Sequence, residues 1–364
     1  MHKYLRIIVG AGLLLCSCRE IYEPELPVQP SILVVDGLIT NEQREHTVNL
    51  TRAVKFDTTA NIPETKATVY VQDNKGNIFY FTEKWPGKYV SDKTTFKPVV
   101  GYKYTLVIKT QNGKFYKTDE QELLPPGNLS DINPTPKKVP FYLMVDNKMR
   151  VLDINGAEFS ASFNVSKSNN PYYRFSNTLI AEFYSKVEDS VNFCFRKYES
   201  DVNFMLSDIQ VGSAGTFQQK LGFLPVENTF YGITDHFTTS PDGDVYTLRE
   251  LFHYYITIRQ FHLNKTTFDM YRSMNQQLSA TQKMFDPVTA QLKGNIKCVT
   301  DPKELVLGLF EVSSVYTKTF IIDQRGINNV FTLWPIRPID MDTIPSEGFN
   351  YDVPPRYWIY DTYN

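Results

Sequence analysis

No apolar run in this chain reaches the ~20 residues that a membrane-spanning helix needs. The run at residues 7–15 is about half that length, too short to span by itself. An excess of charge of one sign is also missing. The 38 Lys and Arg nearly balance 40 Asp and Glu, for a formal net charge of −2. That balance gives no reason to expect nucleic acid or an acidic membrane surface as partner. Metal-binding residues are scarce, with four cysteines and five histidines in 364 residues. They show no ligand spacing, so no metal site is expected. Also absent are a Gly-rich phosphate loop, a nucleophile elbow and a zinc ribbon. No catalytic residue and no cofactor can therefore be nominated, although scattered active-site residues leave no motif.

What is present begins at the N-terminus. His2, Lys3 and Arg6 precede the apolar run, which ends at Leu15-Cys16-Ser17-Cys18. A basic head, an apolar middle and a small residue before the cut describe a secretory signal peptide. The last four residues resemble a bacterial lipobox, with Ser17 at −1 and Cys18 as the lipidated first mature residue. Cutting before Cys16 would instead place Leu15 at −1, where a small residue is needed. Residues 1–17 are thus expected to be removed. Residues 18–30, acidic and proline-bearing, are expected to form a lipidated tether. Cys194 and Cys298 then remain in an oxidising compartment, and a disulfide between them is expected; the alternative is two buried free thiols.

The rest of the chain has the signature of β structure. Aromatics make up 14% of it, with 25 Phe and 23 Tyr, which suits pleated, half-buried surfaces. His46-Thr47-Val48-Asn49-Leu50-Thr51 and Ala67-Thr68-Val69-Tyr70-Val71 alternate with the period of a strand. Asp73-Asn74-Lys75-Gly76-Asn77 and Gln111-Asn112-Gly113 supply hairpin turns. Roughly seven short strands over residues 31–124 fit an immunoglobulin-like sandwich. Leu124-Pro125-Pro126-Gly127 marks a boundary. Residues 125–364 then read as a larger β-rich domain with at least one helix. That helix is expected over residues 266–284, capped by Thr266 or Thr267, with Phe268, Tyr271, Met274 and Leu278 on its apolar stripe.

Three further clusters carry only bland readings. Ser240-Pro241-Asp242-Gly243-Asp244 lacks the distal Glu of a calcium loop and reads as a turn. His253 and His262, nine apart on a strand, face opposite ways. Asp340, Asp342 and Glu347 read as solvated acids.

Several stretches in order resemble one family. They are Val34-Val35-Asp36-Gly37-Leu38-Ile39-Thr40, Gly87-Lys88-Tyr89-Val90-Ser91, Phe285-Asp286-Pro287, Gly294-Asn295-Ile296, and Asp301-Pro302 followed by Val306 to Ser313. With the Val69–Asn77 hairpin they resemble the domain-of-unknown-function family 4249, outer-membrane lipoproteins of Bacteroidota. The resemblance implies a lipid-anchored protein on the outer membrane, facing the medium or the periplasm, commonly encoded beside a TonB-dependent transporter. It carries over no catalytic residues. Arg19-Glu20 loosely resembles the acidic export signal of such lipoproteins and is equally a plain linker. The expected function is a non-enzymatic accessory or ligand-capture protein partnered with such a transporter, its ligand unknown. The alternatives are a surface hydrolase with its site in the C-terminal domain, or a cell-envelope adhesin or structural module.

Overall fold

A computed structural model of the protein describes residues 32–53, 62–145, 148–167, 170–187, 190–199, 204–225, 238–239, 245–280, 294–323 and 336–339. Cys16, Cys18, the signal peptide and the tether lie outside the described residues. So do Ser240 to Asp244, Phe285-Asp286-Pro287, and the acids Asp340, Asp342 and Glu347.

Burial follows the residue pattern. In β1 (Ile32–Ile39) and β2 (Thr47–Ala53) every second side chain is buried, as alternation requires of a half-buried strand. The chain continues through β3 (Ile62–Pro63), β4 (Thr68–Asp73), β5 (Ile78–Trp85), β6 (Lys88–Ser91), β7 (Lys103–Lys109), β8 (Phe115–Thr118) and β9 (Gln121–Glu122). Long strands follow: β10 (Ile132–Val145), β11 (Lys148–Val165), β12 (Tyr173–Val187) and β13 (Ser190–Glu199). Then come β14 (Met205–Leu206), β15 (Gly215–Pro225), β16 (Thr238–Thr239) and β17 (Val245–His262). Helix α1 (Lys265–Ala280) leads to β18 (Ile296–Cys298), β19 (Val306–Val312), β20 (Ser314–Asp323) and β21 (Ile336–Ile339). The fold is mainly β.

The first body is one eleven-stranded sheet in the order β18-β8-β7-β4-β5-β6-β2-β1-β19, with β3 on β2 and β9 on β7. Its edge strands β18 and β19 touch, so the sheet nearly closes on itself. The two separate sheets of an immunoglobulin-like sandwich are not distinguished in it. Asn295 fastens the seam. Its Nδ2 donates to the Phe310 carbonyl at 2.7 Å, and its Oδ1 accepts from the Phe310 N–H at 3.0 Å. The sheet wraps a core of Leu33, Val35, Leu50, Val71, Leu106, Tyr116 and Phe310, among others. A cut at residue 125 would divide this sheet, because β18 and β19 come from far down the chain.

The hairpin turns form as their residues dictate. Asp73 accepts from the Lys75 and Asn77 N–H groups, each at 2.9 Å, while Gly76 takes a positive φ of 90°.

The second body stacks two sheets. One is β10-β11-β15; the other runs β13-β12-β17-β20-β21, with β14 on β12 and β16 on β17. Phe159 and Phe163 of β11 pack against Phe175, Ile258 and Phe320 of the facing sheet. Helix α1 is capped by neither threonine. Asn264 does this, its Oδ1 accepting the Thr267 N–H at 2.9 Å. The helix turns Phe268 toward Tyr172, Phe261, Leu263 and Val315, a cluster that Leu38 of the first body joins.

Candidate functional site

A buried cluster of charges lies where the two bodies meet. β19 carries Glu311 into the junction at 2% exposure. β12 brings Arg174, whose Nη2 reaches both Glu311 oxygens at 3.1 and 3.2 Å. Helix α1 adds the Tyr271 hydroxyl, which donates to Glu311 Oε2, and Ser313 Oγ donates to Oε1 at 2.5 Å. The Arg174 guanidinium lies 3.9 Å from the centroid of the Phe261 ring and 4.9 Å from that of Tyr271. Burial works against its charge, but the facing Glu311 carboxylate outweighs it and holds Arg174 above its usual value. Burial, and after it the Glu311 charge, push Tyr271 well above a normal phenol.

A second ion pair sits beside this one. Arg259 of β17 donates to Glu42 Oε2 at 2.7 Å, and Arg44 flanks the same oxygen at 3.2 Å. Thr40 Oγ1 also donates to that oxygen at 3.0 Å. The neighbouring His46 donates from Nε2 to the Thr40 carbonyl at 3.0 Å and sits edge-on to Phe96. Its Nδ1 is buried without a partner.

Burial pushes His46 down to about 4, with Arg44 acting the same way, while the Thr40 carbonyl and Glu42 oppose. The folded protein therefore holds this imidazole neutral where the unfolded chain takes up a proton. Its contribution is whole above pH ~6.5 and is lost as pH falls toward about 4. The expected loss across that window is roughly 3 kcal/mol. Urea unfolding near pH 7 and near pH 4.5 should show it in the wild type and show much less in His46→Gln. Equal acid losses in both proteins would refute the assignment.

A third cluster lies at the far end of the first sheet. Glu304 accepts from Lys114 Nζ at 2.5 Å and from the Tyr116 hydroxyl at 2.8 Å, and Arg52 pairs with Glu64 at 2.5 Å. Burial alone would raise Glu304, but the bonds from Lys114 and Tyr116 hold it below the usual carboxylate range.

Chemically, these groups are spent on each other. Glu311 takes bonds from Arg174 Nη2, Tyr271 and Ser313, two rings flank the guanidinium, and Arg174 Nε is left buried without a partner. This is the geometry of a joint between bodies rather than of a poised acid or base. No grouping of three or more His, Cys, Asp or Glu suited to a metal occurs among the described residues.

The profile of a family described as Domain of unknown function (DUF4249) matches residues 19–319. The chain belongs to that family. Comparison with curated proteins gives no match. The DUF4249 match runs through β1 to most of β20, so the joint, with Glu42, Arg174, Arg259, Tyr271 and Glu311, falls inside it.

Among the residues singled out by sequence, Cys298 is a free, buried cysteine in the core of the first sheet, its Sγ 3.4 Å from Thr300 Oγ1. Cys194 lies in β13, paired with Phe183 in the sheet of the other body. The expected Cys194–Cys298 disulfide is not formed, because β18 belongs to the first sheet and β13 to the second body. His262 stacks on Tyr173 and directs its two ring nitrogens at the carbonyls of Pro125 and Asn170, at 2.6 and 2.7 Å. Sequence reading passed over Glu311 and Arg174 entirely. Their signal was a charge inside a run that is otherwise apolar, Leu309-Phe310-Glu311-Val312 and Tyr172-Tyr173-Arg174-Phe175.

Proposed function

We propose that this protein is a lipid-anchored outer-membrane accessory that captures a ligand for, or covers the mouth of, a TonB-dependent transporter, without catalysing a reaction. The observation that carries the reading is Leu15-Cys16-Ser17-Cys18 behind a basic, apolar leader. Two features of the fold support it. The bodies are clamped by an ionic joint, which suits a scaffold that presents surfaces at a set angle. The first sheet also leaves Tyr80 exposed, and an aromatic side chain of this kind can anchor a binding surface.

Membrane fractionation tests the anchor. Cys18→Ala should move most of the protein into the soluble fraction after a salt wash, and Cys16→Ala should leave it in the membrane. A Cys18→Ala protein that still sediments shows that lipid is not the anchor. Pull-down of the native protein from outer membranes in mild detergent should recover a TonB-dependent transporter. Recovery of none overturns the partnership.

A further inference from the structure

The register of the first sheet separates its two ends. Leu33 pairs with Val306 at one end, and Ile39 with Val312 at the other. The second body joins at the Ile39 end, where Ser313 donates to the Ile39 carbonyl and Leu38 meets the α1 cluster. The Ile32 end is the one that the N-terminal segment enters. Ile32 pairs with Ala53, and β3 lies beside Thr51 and Arg52. The tip of the β5–β6 hairpin comes alongside, with Leu50 donating to the Gly87 carbonyl. The connection from β18 to β19 turns at this end too, since β19 starts there.

This end carries large apolar side chains in the open. Ile62 is 51% exposed, Trp85 56% and Val299 53%. Lysines surround them. Lys88 lies 4.8 Å over the Trp85 ring, and Lys66 and Lys303 are exposed. Among the described acids at this end, two are paired with a cation, while Glu83 and the exposed Asp301 keep their charge. Glu64 is held by Arg52, Glu304 by Lys114, and Glu83 accepts from the N–H groups of Lys66 and Gly87. Lysines outside those ion pairs, Lys66, Lys88 and Lys303, thus outnumber Glu83 and Asp301, leaving a rim with a modest positive excess at the end that exposes Ile62, Trp85 and Val299.

We propose that this rim rests on the anionic headgroups of the membrane that holds the lipid, with Trp85 seated at the interface. The proposal builds on lipidation at Cys18. Position 18 and β1 are separated by residues 19–31, and a chain of that length reaches at most about 50 Å. The tether enters at this end of the sheet, which is the end nearer the lipid along the chain. A ring that is apolar in body with a polar N–H, ringed by lysines, matches the chemistry of a headgroup layer. A basic, aromatic patch adds a second contact to the lipid anchor.

The test uses the full mature chain with Cys18→Ser, so that no lipid is attached. It should partition onto vesicles of phosphatidylglycerol and phosphatidylethanolamine, weakly onto phosphatidylcholine, and lose the binding in high salt. Trp85→Ser, and separately Lys66, Lys88 and Lys303 together changed to Glu, should each lower partitioning about tenfold or more. Their melting temperatures should stay unchanged, because these side chains are outside the core. No binding to the anionic vesicles, or binding unaltered in both variants, overturns the proposal. So does self-association through Trp85 without vesicle binding, which assigns the rim to a second copy of the chain. Fractionation of Cys18→Ala after a salt wash reads the lipid alone and this assay reads the rim alone, so either can fail without the other.

Discussion

Glu311→Ala is expected to destabilise the protein by about 3–5 kcal/mol, the usual cost of stripping one partner from a buried ion pair. The carboxylate is nearly inaccessible and accepts from Arg174, Tyr271 and Ser313 at once. Its removal leaves a guanidinium between two aromatic rings with only 12% of its side chain exposed. Lowering the pH offers no escape, because arginine does not release its proton under these conditions. Glu311→Gln should cost less, since it keeps the shape and one carbonyl acceptor. The pair Arg174→Met with Glu311→Leu should recover much of the loss, because no lone charge is then buried. Urea midpoints of the three proteins measure this. A Glu311→Ala midpoint equal to wild type would mean that Arg174 finds water, and the joint would not be a buried one.

Gly308→Ala should be comparably damaging, roughly 2–6 kcal/mol from backbone strain and overpacking together. Gly308 sits in β19 at φ 95°, a conformation that side chains other than glycine's rarely adopt. An added Cβ would lie 1.9 Å from the Val35 carbonyl oxygen in the paired strand β1. Both obstacles are backbone, so no rotamer change relieves them. The only relief is for β19 to move off β1, which also withdraws Glu311 from Arg174. Hydrogen exchange should show this as early loss of protection in β1 and β19 while β4 and β7 stay protected. Gly76→Ala is the control, with φ 90° but no atom within 4 Å of the added Cβ. It should cost only the local strain, on the order of 1 kcal/mol. A Gly308→Ala protein no less stable than Gly76→Ala would mean that β19 does not need the close approach.

The rim on the first sheet and the joint at its other end give that sheet two different neighbours. If the lipid anchor and the rim both hold, the second body projects away from the membrane. The ionic joint then sets the direction in which it projects.

What the sequence by itself determined is what short-range chemistry controls. Alternation named β2 and β4 as strands, Asp73 to Asn77 named a turn, and the spacing of Phe268, Tyr271, Met274 and Leu278 named the helix. Each signal sits within a few residues of the element it specifies, so no partner is needed to read it. Only the tertiary structure decided which strands pair. Nothing local in Val306 to Val312 says that it lies parallel to β1 and completes the first sheet. The pairing of Glu311 with Arg174 depends on that placement, as do the need for glycine at 308 and the separation of Cys298 from Cys194. Even the helix cap went to Asn264 rather than to a threonine two or three residues on. Gln121 of β9 explains part of that choice, receiving bonds from both Asn264 and Thr267. Strand pattern is a property of the backbone and its nearest side chains. Strand partnership is set by which distant surfaces bury most when they meet, and that becomes visible only once the chain has folded.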